Sequence, residues 1–160
     1  MFIRQTMKFS GNYLYLSGLL ALVMAFTACD TDDPEARAAK DRKKILDYIE
    51  EHNLDAYEVE GGVFIVIEVE GSGSHPHEGS TVRMNYQGYL LDDTLFDSAN
   101  NANIYLPNTV RGFRIGVMEF RRGGKGMILI PSGMGYGETV TASIPRNAVL
   151  IFHVEIIDFY

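Results

Sequence analysis

Residues 81–91 read Thr81-Val82-Arg83-Met84-Asn85-Tyr86-Gln87-Gly88-Tyr89-Leu90-Leu91. Val82, Met84 and Tyr86 fall on one side of an extended chain, and Arg83, Asn85 and Gln87 fall on the other. A period of two marks a strand with one face on a core and one toward water, and it aims Tyr86 inward. Working outward, residues 149–159 place Leu150, Phe152, Val154 and Ile156 on one face, so Phe152 also points inward. Residues 63–69 form a nearly continuous apolar run between Gly61-Gly62 and Gly71-Ser72-Gly73, the pattern of a well-buried strand, and residues 124–131 offer another. Between the second and third of these strands, apolar residues at 110, 113, 117 and 120 have helical spacing over barely three turns. Runs of strands with one short helix, without β-α-β alternation or an internal repeat, predict an α+β fold with a largely antiparallel sheet.

The chain of 160 residues is long enough for one sizeable core and leaves little room for a second. Its formal charge of -7 becomes more acidic without the first 28 residues, which carry Arg4 and Lys8 and no carboxylate; this argues against a nucleic-acid partner. Those cations, the mostly apolar run from Tyr13 to Phe26 and the small residues that follow are the grammar of a cleaved export signal over residues 1–28. The run is shorter than the roughly 20 apolar residues of a spanning helix, and Asp30, Asp32 and Asp33 follow it at once. Cys29 is the single cysteine, so neither an internal disulfide nor a cysteine metal cluster can form. Residues 29–36 read as that cysteine followed by an acidic tether. Residues 37–57 read as a helical segment in which Ile45, Tyr48 and Ile49 form a narrow apolar stripe. Such a helix could pack on the domain, form a dimer face or act as a spacer. The folded domain is placed at residues 58–160.

The chain contains no phosphate-binding loop, no dinucleotide glycine fingerprint, no HExxH zinc helix and no Gly-x-Ser-x-Gly elbow. His75 and His77 flank Pro76 at a spacing that could hold a metal weakly, but a third ligand is missing nearby and a solvated turn is the simpler reading. What remains is an aromatic and branched set, Tyr86, Phe96, Val110, Phe113, Tyr136 and Phe152. On periodicity alone such a set is a hydrophobic core.

The strings that carry these residues say more. They are Tyr86-Gln87-Gly88-Tyr89-Leu90, Phe96-Asp97-Ser98, Val110-Arg111-Gly112-Phe113 with Gly116, Ile130-Pro131, Gly135-Tyr136-Gly137, Ile144-Pro145 and Leu150-Ile151-Phe152. In this order and spacing the chain, over about residues 58–160, resembles the FKBP-type peptidyl-prolyl isomerases. Phe26-Thr27-Ala28-Cys29 resembles a bacterial lipobox, whose cysteine is lipidated and becomes the first mature residue. The alternatives there are an ordinary cleaved signal with a chance cysteine, or an uncleaved anchor.

The resemblance implies an antiparallel sheet of about five strands wrapped on one short helix, here preceded by the N-terminal amphipathic helix. It implies a proline pocket between helix and sheet, formed by Tyr86, Phe96, Val110, Phe113, Tyr136 and Phe152, with Asp97 at the rim and Ile144 in a flap. It implies cis/trans isomerisation of X-Pro bonds without cofactor or metal. The implied partners are unfolded or exported polypeptides, a membrane reached through a lipid on Cys29, and a macrolide ligand. The setting implied is a bacterial cell envelope. Asp97 would either contact the substrate carbonyl or hold Tyr136, the second being favoured. Two positions depart from the family pattern: Phe113 stands where a tryptophan is usual at the pocket floor, and Ala102 stands at an aromatic position. A non-catalytic holdase using the same pocket, or a structural envelope lipoprotein recruiting through its helix, would share these features.

Overall fold

Backbone alternation and short turns build one antiparallel sheet, seen in a computed structural model that describes residues 33–160. The expected export signal, Cys29 and the first residues of the expected tether lie outside the described residues. Helix α1 spans Pro34–Glu51. Strands follow as β1 (Ala56–Glu58), β2 (Phe64–Val69), β3 (Thr81–Tyr89) and β4 (Leu95–Tyr105), then helix α2 (Arg111–Val117), β5 (Lys125–Ile130) and β6 (Leu150–Phe159). Single 3-10 turns occupy Glu60–Gly62, Leu106–Asn108 and Ser132–Met134. The sheet has six strands in the order β1-β2-β5-β6-β3-β4, every pair antiparallel.

The α+β class is as the sequence predicts, with three differences of detail. The sheet gains a strand because Ala56–Glu58 pairs with β2, where the sequence reading continues the helical segment to residue 57. Helix α1 starts earlier than expected: Asp33 caps it by accepting from the Glu35 amide at 3.1 Å, and Pro34 supplies a preset φ in the first turn, so Pro34, Glu35 and Ala36 are helix rather than tether. Helix α2 is only seven residues long, with Val110 as its N-cap and Phe120 beyond its end.

The period of two gives the sheet two apolar faces. Val63, Ile65, Met84, Ile128, Ile130, Phe152 and Val154 face α2 and form the larger core, joined by Phe113, Val117 and Phe120. Phe64, Val66, Met127, Leu129 and Ile151 face the other way and pack with Ile45, flanked by Tyr48 and Ile49. The predicted stripe of α1 therefore docks on the back of the sheet, which decides among the roles left open for it. At its flank Arg42 grips Glu58 of β1, with the closest contact at 2.7 Å. That ion pair holds the Glu58 carboxyl below its ordinary range, chiefly through the hydrogen bond.

Helix α2 lies close to β5 because it carries glycine where it touches. A Cβ on Gly112 would stand 2.3 Å from Ile130 Cγ2, and one on Gly116 would stand 2.4 Å from Ile128 Cγ2. This close approach sets the height of Phe113 above the sheet.

Candidate functional site

A cavity of about 240 Å³ opens between α2 and the sheet. Phe152 of β6 is its hub. Its ring meets Phe113 at 4.7 Å between centroids and Phe96 at 5.4 Å, both edge-on, and Tyr86 at 6.2 Å in a tilted contact. Edge-to-face contacts of this kind lock ring orientations as well as burying area. Phe96 reaches its place because Gly88 has no side chain: a Cβ there would meet the Phe96 ring at 2.6 Å and Phe152 at 2.9 Å.

Of the residues singled out in the sequence, Tyr86, Asp97, Val110, Phe113, Tyr136 and Phe152 line the cavity together. Phe96 stands one layer back, packed against Phe152. Ile144 lies in the main core rather than on the cavity wall, and its backbone closes a short turn with Thr141 through bonds of 3.0 Å. The loop around it is pinned by that apolar anchor.

Three lining residues escape the sequence reading: Ile104, Asn108 and Thr109. Ile104 belongs to β4, whose Ala-Asn-Asn run looks polar and irregular. Register explains it. Met84 pairs with Ala102 but Tyr86 pairs with Ala99, so β4 carries an extra residue between them. Asn101 takes a φ of 52°, a left-handed value that asparagine tolerates, and its amide donates to Asn85 Oδ1 at 2.8 Å. One inserted residue reverses the in-out phase of a strand, which lets both Asp97 and Ile104 reach the cavity. The clue available in the sequence is Asn100-Asn101 inside an otherwise alternating segment.

The polar rim is arranged differently from expectation. The Tyr86 hydroxyl donates to Asp97 Oδ2 at 2.9 Å, so Asp97 holds Tyr86 rather than Tyr136. The two sit on paired strands as diagonal neighbours, since Gly88 is opposite Asp97 and Tyr86 opposite Ala99. Desolvation, then the Asp97 bond and charge, and finally Tyr136 push the Tyr86 hydroxyl up to about 12. Tyr136 is 40% exposed and projects its ring into the cavity wall from the turn after Ser132–Met134. Its hydroxyl forms no hydrogen bond to the other described residues. The cavity lining therefore holds a tethered hydroxyl–carboxylate pair and an uncommitted donor.

His75 and His77 are absorbed by local structure. His75 Nδ1 lies 3.0 Å from the Met118 carbonyl and Nε2 accepts from Arg121 at 3.1 Å, while His77 Nδ1 accepts from the Gly79 amide. Neither imidazole faces the cavity.

A sheet wrapped on a short helix, with an aromatic cavity between them, defines the proline-pocket class of fold. The family model for FKBP-type peptidyl-prolyl cis-trans isomerase matches residues 72–157, more than half of the chain, and the chain belongs to that family. It is 31% identical over 133 residues to the FKBP-type peptidyl-prolyl cis-trans isomerase FkpA of Escherichia coli strain K12, covering 81% of this chain and 47% of that protein. Against the protein of the same name from Aeromonas hydrophila it is 36% identical over 102 residues, covering 61% of this chain and 38% of the relative. The crystal structure of FkpA from Escherichia coli superposes with a TM-score of 0.67 at 28% identity, covering 78% of this chain and 62% of that one. The chain thus spans about half the length of these curated relatives or less.

Proposed function

We propose that this chain catalyses cis/trans isomerisation of X-Pro peptide bonds in exported polypeptides. One observation carries the reading: an aromatic-walled cavity that presents a hydroxyl with no internal partner, Tyr136, together with a hydroxyl already committed to Asp97. The relatives named peptidyl-prolyl isomerases support the same activity.

The chemistry follows from the amide. Rotation about X-Pro is opposed by about 18–20 kcal/mol because the planar bond is conjugated and the twisted one is not. On twisting, the carbonyl oxygen loses resonance and part of its negative charge, so leaving water costs the twisted state less than the planar one. Phe113, Phe152 and Tyr86 hold the proline ring in a water-poor enclosure, and Val110 and Ile104 close its sides. Tyr136 donates to a substrate carbonyl and so binds and orients the segment, a contribution to kcat/KM through positioning rather than through charge on the twisted amide. Asp97 acts through Tyr86, keeping that ring fixed at the wall. A macrolide that presents a proline-like ring to the same enclosure would compete with substrate.

The N-terminal pattern supports delivery to a bacterial envelope, with a lipid on Cys29 as the tether to a membrane. Among the described residues no helix is long and apolar enough to cross one.

The test is the isomerisation rate of a series of X-Pro tetrapeptides with the purified protein and its Tyr136→Phe and Phe152→Ala variants, each checked for folding by circular dichroism. The parent should accelerate exchange well beyond the spontaneous tens to hundreds of seconds. Tyr136→Phe should lose about fivefold in kcat/KM, the equivalent of one hydrogen bond near 1 kcal/mol. A folded parent that accelerates no peptide, yet suppresses aggregation of unfolded chains, would replace the enzyme by the holdase.

A further inference from the structure

We infer that Asp41, in the N-terminal helix, is a positioning residue for Tyr136, which makes α1 a working part of the pocket although it packs on the opposite face of the sheet. The inference rests on the pocket reading given above.

Asp41 lies on a helix crowded with charge, yet it is only 1% exposed. Its Oδ2 accepts from the Ser132 amide at 3.0 Å and from the Ser132 hydroxyl, and its Oδ1 is 3.2 Å from Lys44 Nζ. Ser132 is itself completely buried. The Ser132 carbonyl then accepts from the amides of Gly135 at 3.0 Å and Gly137 at 2.8 Å, the two that bracket Tyr136. Beyond the turn, the Gly137 carbonyl accepts from the Asn147 amide at 2.7 Å, and Glu138 reaches back to Arg37 of α1 at 3.5 Å. A continuous run of hydrogen bonds therefore links α1 to the backbone on both sides of the pocket tyrosine.

Packing alone does not require this arrangement. Ile45 with its apolar neighbours and the Arg42–Glu58 pair already dock α1 on the sheet. A buried carboxylate is costly to desolvate, and an apolar residue of similar size often stabilises at least as well. What the carboxylate adds is direction: two donors from one serine converge on one oxygen and fix the orientation of the turn that follows. The Tyr136 ring stands at the open mouth, partly solvated, with no hydroxyl bond of its own to hold it. Its placement depends on its backbone, and that backbone is hung from Ser132.

The test uses Asp41→Ala, Asp41→Asn and Ser132→Ala in the full protein, with two readouts. The first is amide hydrogen exchange, which needs no activity. Asp41→Ala should speed exchange at Gly135 and Gly137 by about tenfold or more, while β5 and β6 amides stay within about twofold, as local opening predicts. The second is kcat/KM on an X-Pro tetrapeptide in the parent and in the Tyr136→Phe background. Asp41→Ala should cost about as much as Tyr136→Phe alone, and less than about twofold more when the two are combined, as residues acting through one another do. Asp41→Asn, which keeps an oxygen for Ser132, should restore most of both properties. If Asp41→Ala is too unstable to study, Ser132→Ala removes only the hydroxyl contact and carries the same comparison. Equal losses of kcat/KM in both backgrounds, or unchanged exchange at Gly135 and Gly137, would overturn the inference. A parent without isomerase activity would sink the functional reading and leave the exchange result to decide the mechanical link.

Discussion

Gly116→Ala sets helix propensity against packing, and the structure says which wins. Propensity favours the substitution: alanine is better than glycine inside a helix by about 0.8–1.0 kcal/mol. Geometry opposes it. The added Cβ would lie 2.4 Å from Ile128 Cγ2, 2.9 Å from its Cδ1 and 3.0 Å from its Cγ1. All three atoms belong to a β-branched side chain that is fully buried in the centre of the sheet, so no rotation relieves the clash. Helix α2 must rise by about 1 Å or Ile128 must leave its rotamer, and overpacking of this kind costs about 1–3 kcal/mol. The net expectation is a loss of up to about 2 kcal/mol in urea denaturation, or up to about 8 °C in Tm for a domain of this size. Because Phe113 rides on the same short helix, kcat/KM should fall as well. A double-mutant cycle locates the cause: Ile128→Ala alone costs about 2–5 kcal/mol through its cavity, but should cost markedly less when the methyl group introduced by Gly116→Ala fills part of that space. A Gly116→Ala protein more stable than the parent, or strict additivity with Ile128→Ala, would refute the packing argument.

Four further outcomes are expected. The Tyr86 hydroxyl, raised to about 12 from an ordinary value of 10, adds stability that is fully present below pH 10 and lost as pH rises toward 12. Two pH units correspond to about 2.7 kcal/mol in full, reduced to about 1 kcal/mol for a half-exposed group. The stability difference between parent and Tyr86→Phe should shrink by that amount between pH 9 and 11.5 in urea melts, and a pH-independent difference would contradict it. Asp97→Asn should bring the Tyr86 titration back toward 10, read as tyrosinate absorbance; an unmoved titration would assign the shift to burial alone. Phe152→Leu should keep the fold but lose at least about tenfold in kcat/KM, since it removes the ring that contacts Phe113, Phe96 and Tyr86 together. Cys29→Ser should move the protein from the membrane pellet to the soluble fraction of cells, and a pellet that retains it would exclude the lipid as the anchor.

The parts of this molecule visible in the sequence are those where one physical rule acts alone. Val82, Met84, Leu150, Val154 and Ile156 alternate without interruption, and all are buried in the same core. Tyr86 and Phe152 converge because each sits in the inward phase of its strand, whereas Tyr136 arrives from a turn. The rest is hidden where a second rule intervenes. Strand β4 is not among the strands predicted from the sequence because a bulge at Asn101 breaks its period, and its residue Ile104 goes unrecognised as a wall of the cavity. The partner of Asp97 is Tyr86 and not the expected Tyr136 because cross-strand register, not proximity to a motif, selects it. Asp41 reads as one more charge on a solvated helix; only the placement of Ser132, far along the chain, explains why it is buried.

The two departures from the family pattern also read differently once register is known. Ala102 is expected to loosen the pocket on one side, yet it is opposite Met84 in the ladder and does not line the cavity. Ile104 supplies the apolar surface there. Phe113 replaces a larger ring at the floor, but its height is set by Gly112 and Gly116 against Ile130 and Ile128, so the floor is brought toward the sheet by the helix itself. The Phe113 ring packs against Phe152 at 4.7 Å. On the reading proposed above, the enclosure would take a ring shared by every X-Pro site, and the polar side chains in its lining are Asp97, Asn108 and Thr109 with the hydroxyls of Tyr86 and Tyr136. Selectivity for the neighbouring residue would then arise from those polar groups, among them Tyr136 and the Asp97–Tyr86 pair. If Asp41 positions Tyr136 as inferred, the turn at Ser132 and its strut from α1 would set the place of that hydroxyl, while the aromatic floor would supply the space in which the bond twists.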